Sequence, residues 1–329
     1  MTTGPPLPAL PIGRPHLTTS VSPLGTLDLP TPDSGPYALA VGPDGRLWCT
    51  LVRTGRIARL TPSTGRVEEF VLDSADCGPT LITAGPDGAL WFTRYRDHRI
   101  GRIAVDGESR SYELPGGAGG PYGIAAGPDG ALWFTCTDSD RIGRIGIDGR
   151  IVEFPLPCEG GFPSFLTAGR DGALWFTLNQ ANAIGRITVS GEVRLHPLPT
   201  PGAAPVGLAV GPDGSLWFAE IGAGRIGRLT TGETAGVEFA EFALPEADCR
   251  PHAVAVAPDG TCWFTEWGTG RIGSVTPDGK LTEHPLAASD REPHGLAFAP
   301  DGTLYVAEEH GGISRWEVRR PGSVPEEPG

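Results

Sequence analysis

Seven times along this chain a Gly/Ala-x-Asp-Gly turn leads into a short apolar segment, and the spacing of those turns restricts the architecture to very few choices. The turn aspartates are Asp44, Asp87, Asp129, Asp171, Asp213, Asp259 and Asp301, at intervals of 43, 42, 42, 42, 46 and 42 residues. Units of that length, each with room for four short strands and their turns, predict an all-β, seven-bladed β-propeller with one blade per repeat. Blades so alike are scaffold. Function is therefore expected where the repeats stop resembling one another.

One repeat shows how a blade is written. Residues 122–126 are small and suit an inner strand, Asp129-Gly130 turns the chain, and 131–135 (ALWFT) supplies bulk for packing between blades. A third strand is predicted at 141–147, and Asp148-Gly149 then leads into 151–156, whose apolar-polar alternation fits a half-exposed outer strand. The last repeat stops early, with strands near 295–299, 303–307 and 313–318 and no outer strand after Pro321. Residues 24–30 (LGTLDLP) read like the outer strands at 112–115 and 242–245, so the N-terminal strand is predicted to complete blade seven and close the ring. Closure removes the exposed edges of an open sheet.

The expected organisation is a proline-rich disordered leader over 1–22, the propeller over 23–320 and a disordered tail over 321–329. Forty-nine glycines and 34 prolines recur at fixed repeat positions, as many tight turns require. A formal charge of -13 disfavours nucleic acid and anionic lipid as partners. The repeated Arg-Ile-Gly-Arg segments (99–102, 141–144, 225–228) are accordingly read as structural. No stretch is apolar enough to span a membrane. Six cysteines without C-x-x-C spacing argue against zinc or a disulfide framework, and with no export signal they suit reduced thiols in the cytoplasm. A closed ring without an obvious apolar patch is expected to be a monomer.

The loops leading into the inner strands and those following the second strands are expected to share one face at the channel mouth. The residue after each lead-in proline is, in chain order, Tyr37, Thr80, Tyr122, Ser164, Val206, His252 and His294. Two positions earlier stand Gly35, Gly78, Gly120, Phe162, Ala204, Arg250 and Glu292, so blade seven alone has a carboxylate there. If that segment is extended, Glu292 and His294 point to one side. Behind the second strands, Glu220, Glu266 and the pair Glu308-Glu309 add carboxylates in blades five to seven. Two rim carboxylates suit Mg²⁺, and a nearby histidine is the usual base near neutral pH. Trp267 lies outside the repeated tryptophan register and is a candidate for facing a substrate. His98, His196, His284 and His310 show no repeated context and are read as surface residues.

The segments Arg250-Pro251-His252-Ala253, 263–268 (WFTEWG) and Glu292-Pro293-His294-Gly295, set among LWFT and RIGRI units, closely resemble the virginiamycin B lyase (streptogramin B lyase) family. That resemblance implies a Mg²⁺-dependent enzyme that linearises cyclic depsipeptide antibiotics of the streptogramin B type by elimination, without adding water, and so confers resistance. It implies His294 as general base, Glu292 and a glutamate after the last blade's second strand as metal ligands, and His252 and Tyr37 as substrate contacts. Blade seven reads Leu304-Tyr305-Val306-Ala307 in place of LWFT, which leaves Glu308 or Glu309 as the second ligand. Counting from Ala307 favours Glu309. Two other readings stand beside this one: a non-catalytic propeller that binds a peptide or protein, and a metal-dependent lactone hydrolase.

Overall fold

The computed structural model describes residues 20–231 and 236–319. Its strands form seven four-stranded antiparallel sheets, and each inner strand packs beside the inner strands of its two neighbours in a closed ring. Blade one comprises Pro36–Val41, Leu47–Leu51, Arg56–Thr61 and Arg66–Val71, and the following blades repeat that order. Blade seven combines Pro293–Phe298, Leu304–Glu308 and Ile313–Arg319 with the N-terminal strand Ser20–Leu27. The closing strand thus begins four residues before the expected start and ends three before the expected end. Its pairing runs from Ser20 opposite Arg319 to Leu27 opposite Ile313, with an irregularity between Pro23 and Gly25. Ser20 to Ser22 belong to this strand and not to a leader; the rest of the expected leader, and the tail over 321–329, lie outside the described residues.

Between blades, the second-strand aromatics do the packing. Trp48, Trp91, Trp133, Trp217 and Trp263 and the phenylalanines Phe92, Phe134, Phe176, Phe218 and Phe264 are fully buried. The repeated arginines are structural, as read. Arg102, Arg144, Arg186 and Arg228 lie 2.5 to 2.7 Å from the turn aspartates Asp87, Asp129, Asp171 and Asp213 of their own blades. The same aspartates, apart from Asp213, accept the tryptophan indole N–H. In blades two to four the turn is therefore tied to its second and third strands by one carboxylate.

Two recurrent devices position the channel mouth. First, every inner strand carries an irregularity two residues wide directly after its proline, as between Pro251 and Val254 or Pro293 and Leu296. Such bulges turn a side chain away from the strand's regular alternation. His252, His294 and Tyr37 all sit in one. Second, the threonine of the LWFT strand reaches into the next blade: Thr50, Thr93, Thr135 and Thr265 donate to the carbonyls of Thr80, Tyr122, Ser164 and His294 at 2.6 to 2.8 Å. Blade six thereby holds the backbone of His294.

Candidate active site at the channel mouth

The residue two before each bulged position has a left-handed backbone, with φ between 47° and 68° for Gly35, Gly78, Gly120, Phe162, Ala204, Arg250 and Glu292. Blades one to three place glycine there, where the conformation is free of strain; the later blades force larger side chains into it. The expected extended Glu292-Pro293-His294 segment is therefore corrected. Glu292 is left-handed, and its carboxylate meets His294 through the turn and the bulge together. The Glu309 amide donates to the Glu292 carbonyl at 3.0 Å, which fixes these two backbones side by side.

Ligand atoms of Glu292, His294 and Glu309 all lie within 4.8 Å of one another. His294 Nε2 is 2.7 Å from Glu309 Oε2, though off the line of a ring N–H bond, and its Nδ1 has no partner among the described residues. Arg53 of blade one donates from Nε and Nη2 to Glu309 Oε1 at 3.1 and 2.8 Å. His294 and then Arg53 hold the Glu309 carboxyl down at about 2, against the opposing effect of burial. Arg53 Nη2 also lies 2.7 Å from His310 Nε2, and His310 Nδ1 lies 3.0 Å from Glu292 Oε2. With arginine donating, the proton of His310 belongs on Nδ1, the ring nitrogen nearer Glu292. One chain of contacts, Glu309 to Arg53 to His310 to Glu292, orients both carboxylates.

The floor is aromatic. The Tyr37 ring stands 4.5 Å from that of His294 and 6.1 Å from that of His252, and the two histidine rings are 4.8 Å apart. Tyr37 and Tyr122 share a hydroxyl contact of 2.5 Å, and burial raises both phenols, Tyr122 to about 12. Phe165 lies against Tyr122 and His252. His252 is 8% exposed, and its Nδ1 has no partner among the described residues; burial, and then His294, push it down to about 3, so it is neutral at ordinary pH. Trp267 stands 6.2 Å from His294, with Arg250 over its ring.

Two expectations about neighbouring groups are revised. Glu220, Glu266 and Glu308 are 0 to 1% exposed and end their second strands inside the blades, so they are no rim carboxylates. Glu308 is taken up by Arg291 at 3.0 Å, which leaves Glu309 as the glutamate at the mouth. The supposed surface histidines have repeated roles. His196 stacks on Trp175 at the outer-strand aromatic position, where Phe154 covers Trp133, and His98 Nδ1 accepts the Gly120 amide, as Asn182 Oδ1 accepts that of Ala204. His310 and Arg53 are missed members of the site. Extending the rim register by one residue reveals them: it reads Arg53, Arg96, Asp138, Gln180, Gly222, Gly268 and His310, with the two partners on the adjacent blades one and seven.

The buried Glu220 supplies a pH test. Burial, and then Glu241, push its carboxyl up to about 8, and neither oxygen has a partner among the described residues. An acid whose folded pKa is raised binds a proton that the unfolded chain has already lost, so stability falls as pH rises from about 4 to 8 and levels off above that. Glu220→Gln should raise the melting temperature by several degrees at about pH 9 and far less at about pH 5. Thermal denaturation across that range checks it, and equal gains at both ends would contradict the assignment.

The fold and this rim define a closed seven-bladed propeller with paired carboxylates and histidines at one end of its channel. The virginiamycin B lyase family profile matches residues 23–316, and the chain belongs to that family. A solved streptogramin B lyase structure superposes with a TM-score of 0.85 at 40% identity, over 92% of this chain and 98% of that one. A catalytically inactive histidine-to-alanine variant of virginiamycin B lyase from Staphylococcus aureus, crystallised with quinupristin, gives 0.84 at 39% identity over 91% and 99% of the two chains. The virginiamycin B lyase of Streptomyces coelicolor is 66% identical over 35 residues, a stretch that spans 12% of its length.

Proposed function

We propose that this protein is a carbon–oxygen lyase that opens ester-closed cyclic depsipeptides of the streptogramin B type by elimination. The observation that carries the reading is the convergence of Glu292, His294 and Glu309 at the channel mouth. It is supported by the 39% identity to a family member crystallised with quinupristin, which is inactive once a histidine is replaced by alanine.

In such a ring a threonyl residue bears the ester oxygen on its β carbon. His294 takes the α proton, the electron pair forms the Cα–Cβ double bond, and the Cβ–O bond breaks with release of the carboxylate. Charge builds on the adjacent carbonyl oxygen as the proton leaves. The donor set fits a hard divalent cation: two carboxylates, one kept ionised by its neighbours, with room for water or substrate oxygens in the remaining positions. Mg²⁺ held by Glu292 and Glu309 would supply a Lewis acid for that carbonyl. His252 and Tyr37 serve as substrate contacts: His252 offers a neutral imidazole whose Nδ1 has no partner among the described residues, and Tyr37 a flat apolar face beside His294.

Incubation with a streptogramin B and Mg²⁺, read by product mass and ring opening together, tests this reading. A linear product of unchanged mass is expected. A gain of one water would make the enzyme a hydrolase, and binding without opening would make it a binding propeller.

A further inference from the structure

Both donors that Arg53 offers to Glu309 go to the same oxygen. Nε and Nη2 reach Oε1 at 3.1 and 2.8 Å, while the other oxygen, Oε2, is the one that lies beside His294 at 2.7 Å. A guanidinium that meets a carboxylate often forms a parallel fork with one oxygen for each donor. Here Nη2 also lies 2.7 Å from His310 Nε2, and the fork closes on Oε1 alone.

The placement of Arg53 is built into blade one. Its amide donates to the Ser34 carbonyl at 3.1 Å, and the Val52 amide donates to that of Gly35 at 2.8 Å. Gly35 is left-handed, with φ of 68°, and a Cβ there would come within 2.8 Å of Arg53 Cγ, so the arginine stem lies in the space of the missing side chain. From that bed the guanidinium crosses to blade seven, which ring closure sets beside blade one. Arg96 lies over Gly78 of blade two in the same way, yet it has no carboxylate partner among the described residues.

We propose that Arg53 sets which divalent cation the channel mouth accepts: by taking Oε1 it makes Glu309 a one-oxygen ligand, and so favours Mg²⁺ over Ca²⁺. This rests on the reading above, in which Glu292 and Glu309 hold the cation, and adds the residue that discriminates between ions. Mg²⁺ is small, demands about six ligands in octahedral order and keeps several of its waters, whereas Ca²⁺ takes about six to eight oxygens and accepts carboxylates through both of theirs. For Glu309 to chelate in that way, two charge-assisted hydrogen bonds to Arg53 have to break. Arg53 acts through Glu309 and is a positioning residue.

Calorimetric titration of the full chain with Mg²⁺ and with Ca²⁺, each without substrate, gives the ratio of the two affinities. Loss of the partner that orients a ligating carboxylate usually costs about 10- to 100-fold in metal affinity, whereas loss of a nearby positive charge favours both cations, so the ratio isolates the orienting effect. In Arg53→Met the ratio of Mg²⁺ to Ca²⁺ affinity should fall at least about tenfold. Arg53→Lys keeps the charge without the fork and should recover only part of that ratio. Gly35→Ala leaves the arginine in the chain but pushes its stem aside; it should shift the ratio in the same direction, which keeps the test open if the methionine variant folds poorly. Arg96→Met removes a like charge in the same register and should leave the ratio unchanged. Saturable Mg²⁺ binding that Glu309→Gln abolishes, with a ratio unmoved in both Arg53→Met and Gly35→Ala, overturns the role of Arg53 alone. Binding of neither cation, or equal binding by Glu309→Gln, overturns the metal assignment and this proposal with it.

Discussion

Replacing His294 by alanine is expected to lower elimination turnover by about a hundred-fold to ten-thousand-fold, the usual cost of losing a general base, with folding and substrate affinity largely kept. The proton has to pass to a group at the mouth, and His252, pushed down to about 3, is too weak a base to replace His294. The fold should survive because the structure holds this residue by its backbone: Thr265 donates to the His294 carbonyl, and the alanine variant retains that bond. His252→Ala should instead act mainly on binding, raising KM with a smaller fall in kcat. Steady-state kinetics of both variants, beside circular dichroism and melting curves, check the pair. Near-normal turnover by the His294 variant would place the base elsewhere.

Glu309→Gln is expected to cut activity by about a hundred-fold or more, since a Lewis acid at a developing oxyanion contributes several kcal/mol and each 1.4 kcal/mol is tenfold. The amide has no charge for a cation and none for Arg53. Excess Mg²⁺ should restore only part of the loss. Stability carries a second signature. Because the Glu309 carboxyl is held down at about 2, its ion pairs stabilise the fold above the ordinary carboxylate range and lose that effect as pH falls toward 2. Wild type should therefore melt above the variant at neutral pH, and the gap should close through acid pH. Metal titration of activity, together with melting curves from about pH 3 to 7, separates the two effects. Full activity in the variant without added metal would remove Glu309 from the ligand set.

The blade count was legible because a tight Asp-Gly turn and a bulky β-strand are local matters, written within ten residues and repeated seven times. The closing strand was legible in kind but not in extent. Residues 20–22 carry no strong strand pattern, and they become strand because Arg319, Val318 and Glu317 stand opposite with backbone groups to satisfy. Glu292, His294 and Glu309 were legible as departures from a repeat register. The reason they meet was not, since the extended segment assumed for Glu292 is a left-handed turn followed by a bulge.

What the sequence by itself determined is the repeat: the turns, the strand order, the buried aromatics and the register at which the last blades acquire histidines and a carboxylate. Only the tertiary structure decided which polar groups share a space. Arg53 and Glu309 are 256 residues apart and become partners because ring closure sets blade one against blade seven. Glu308 and Glu309 are adjacent in the chain yet go to opposite fates, one into the blade with Arg291 and one to the mouth with His294, because successive side chains at a strand end face opposite sides. Glu220 and Glu266 look in the sequence like rim carboxylates, and the packing of each blade on the next seals them from water. Local chemistry is carried by neighbours in the chain, while charge, solvation and ligand geometry are carried by neighbours in space, which exist only once the ring has closed.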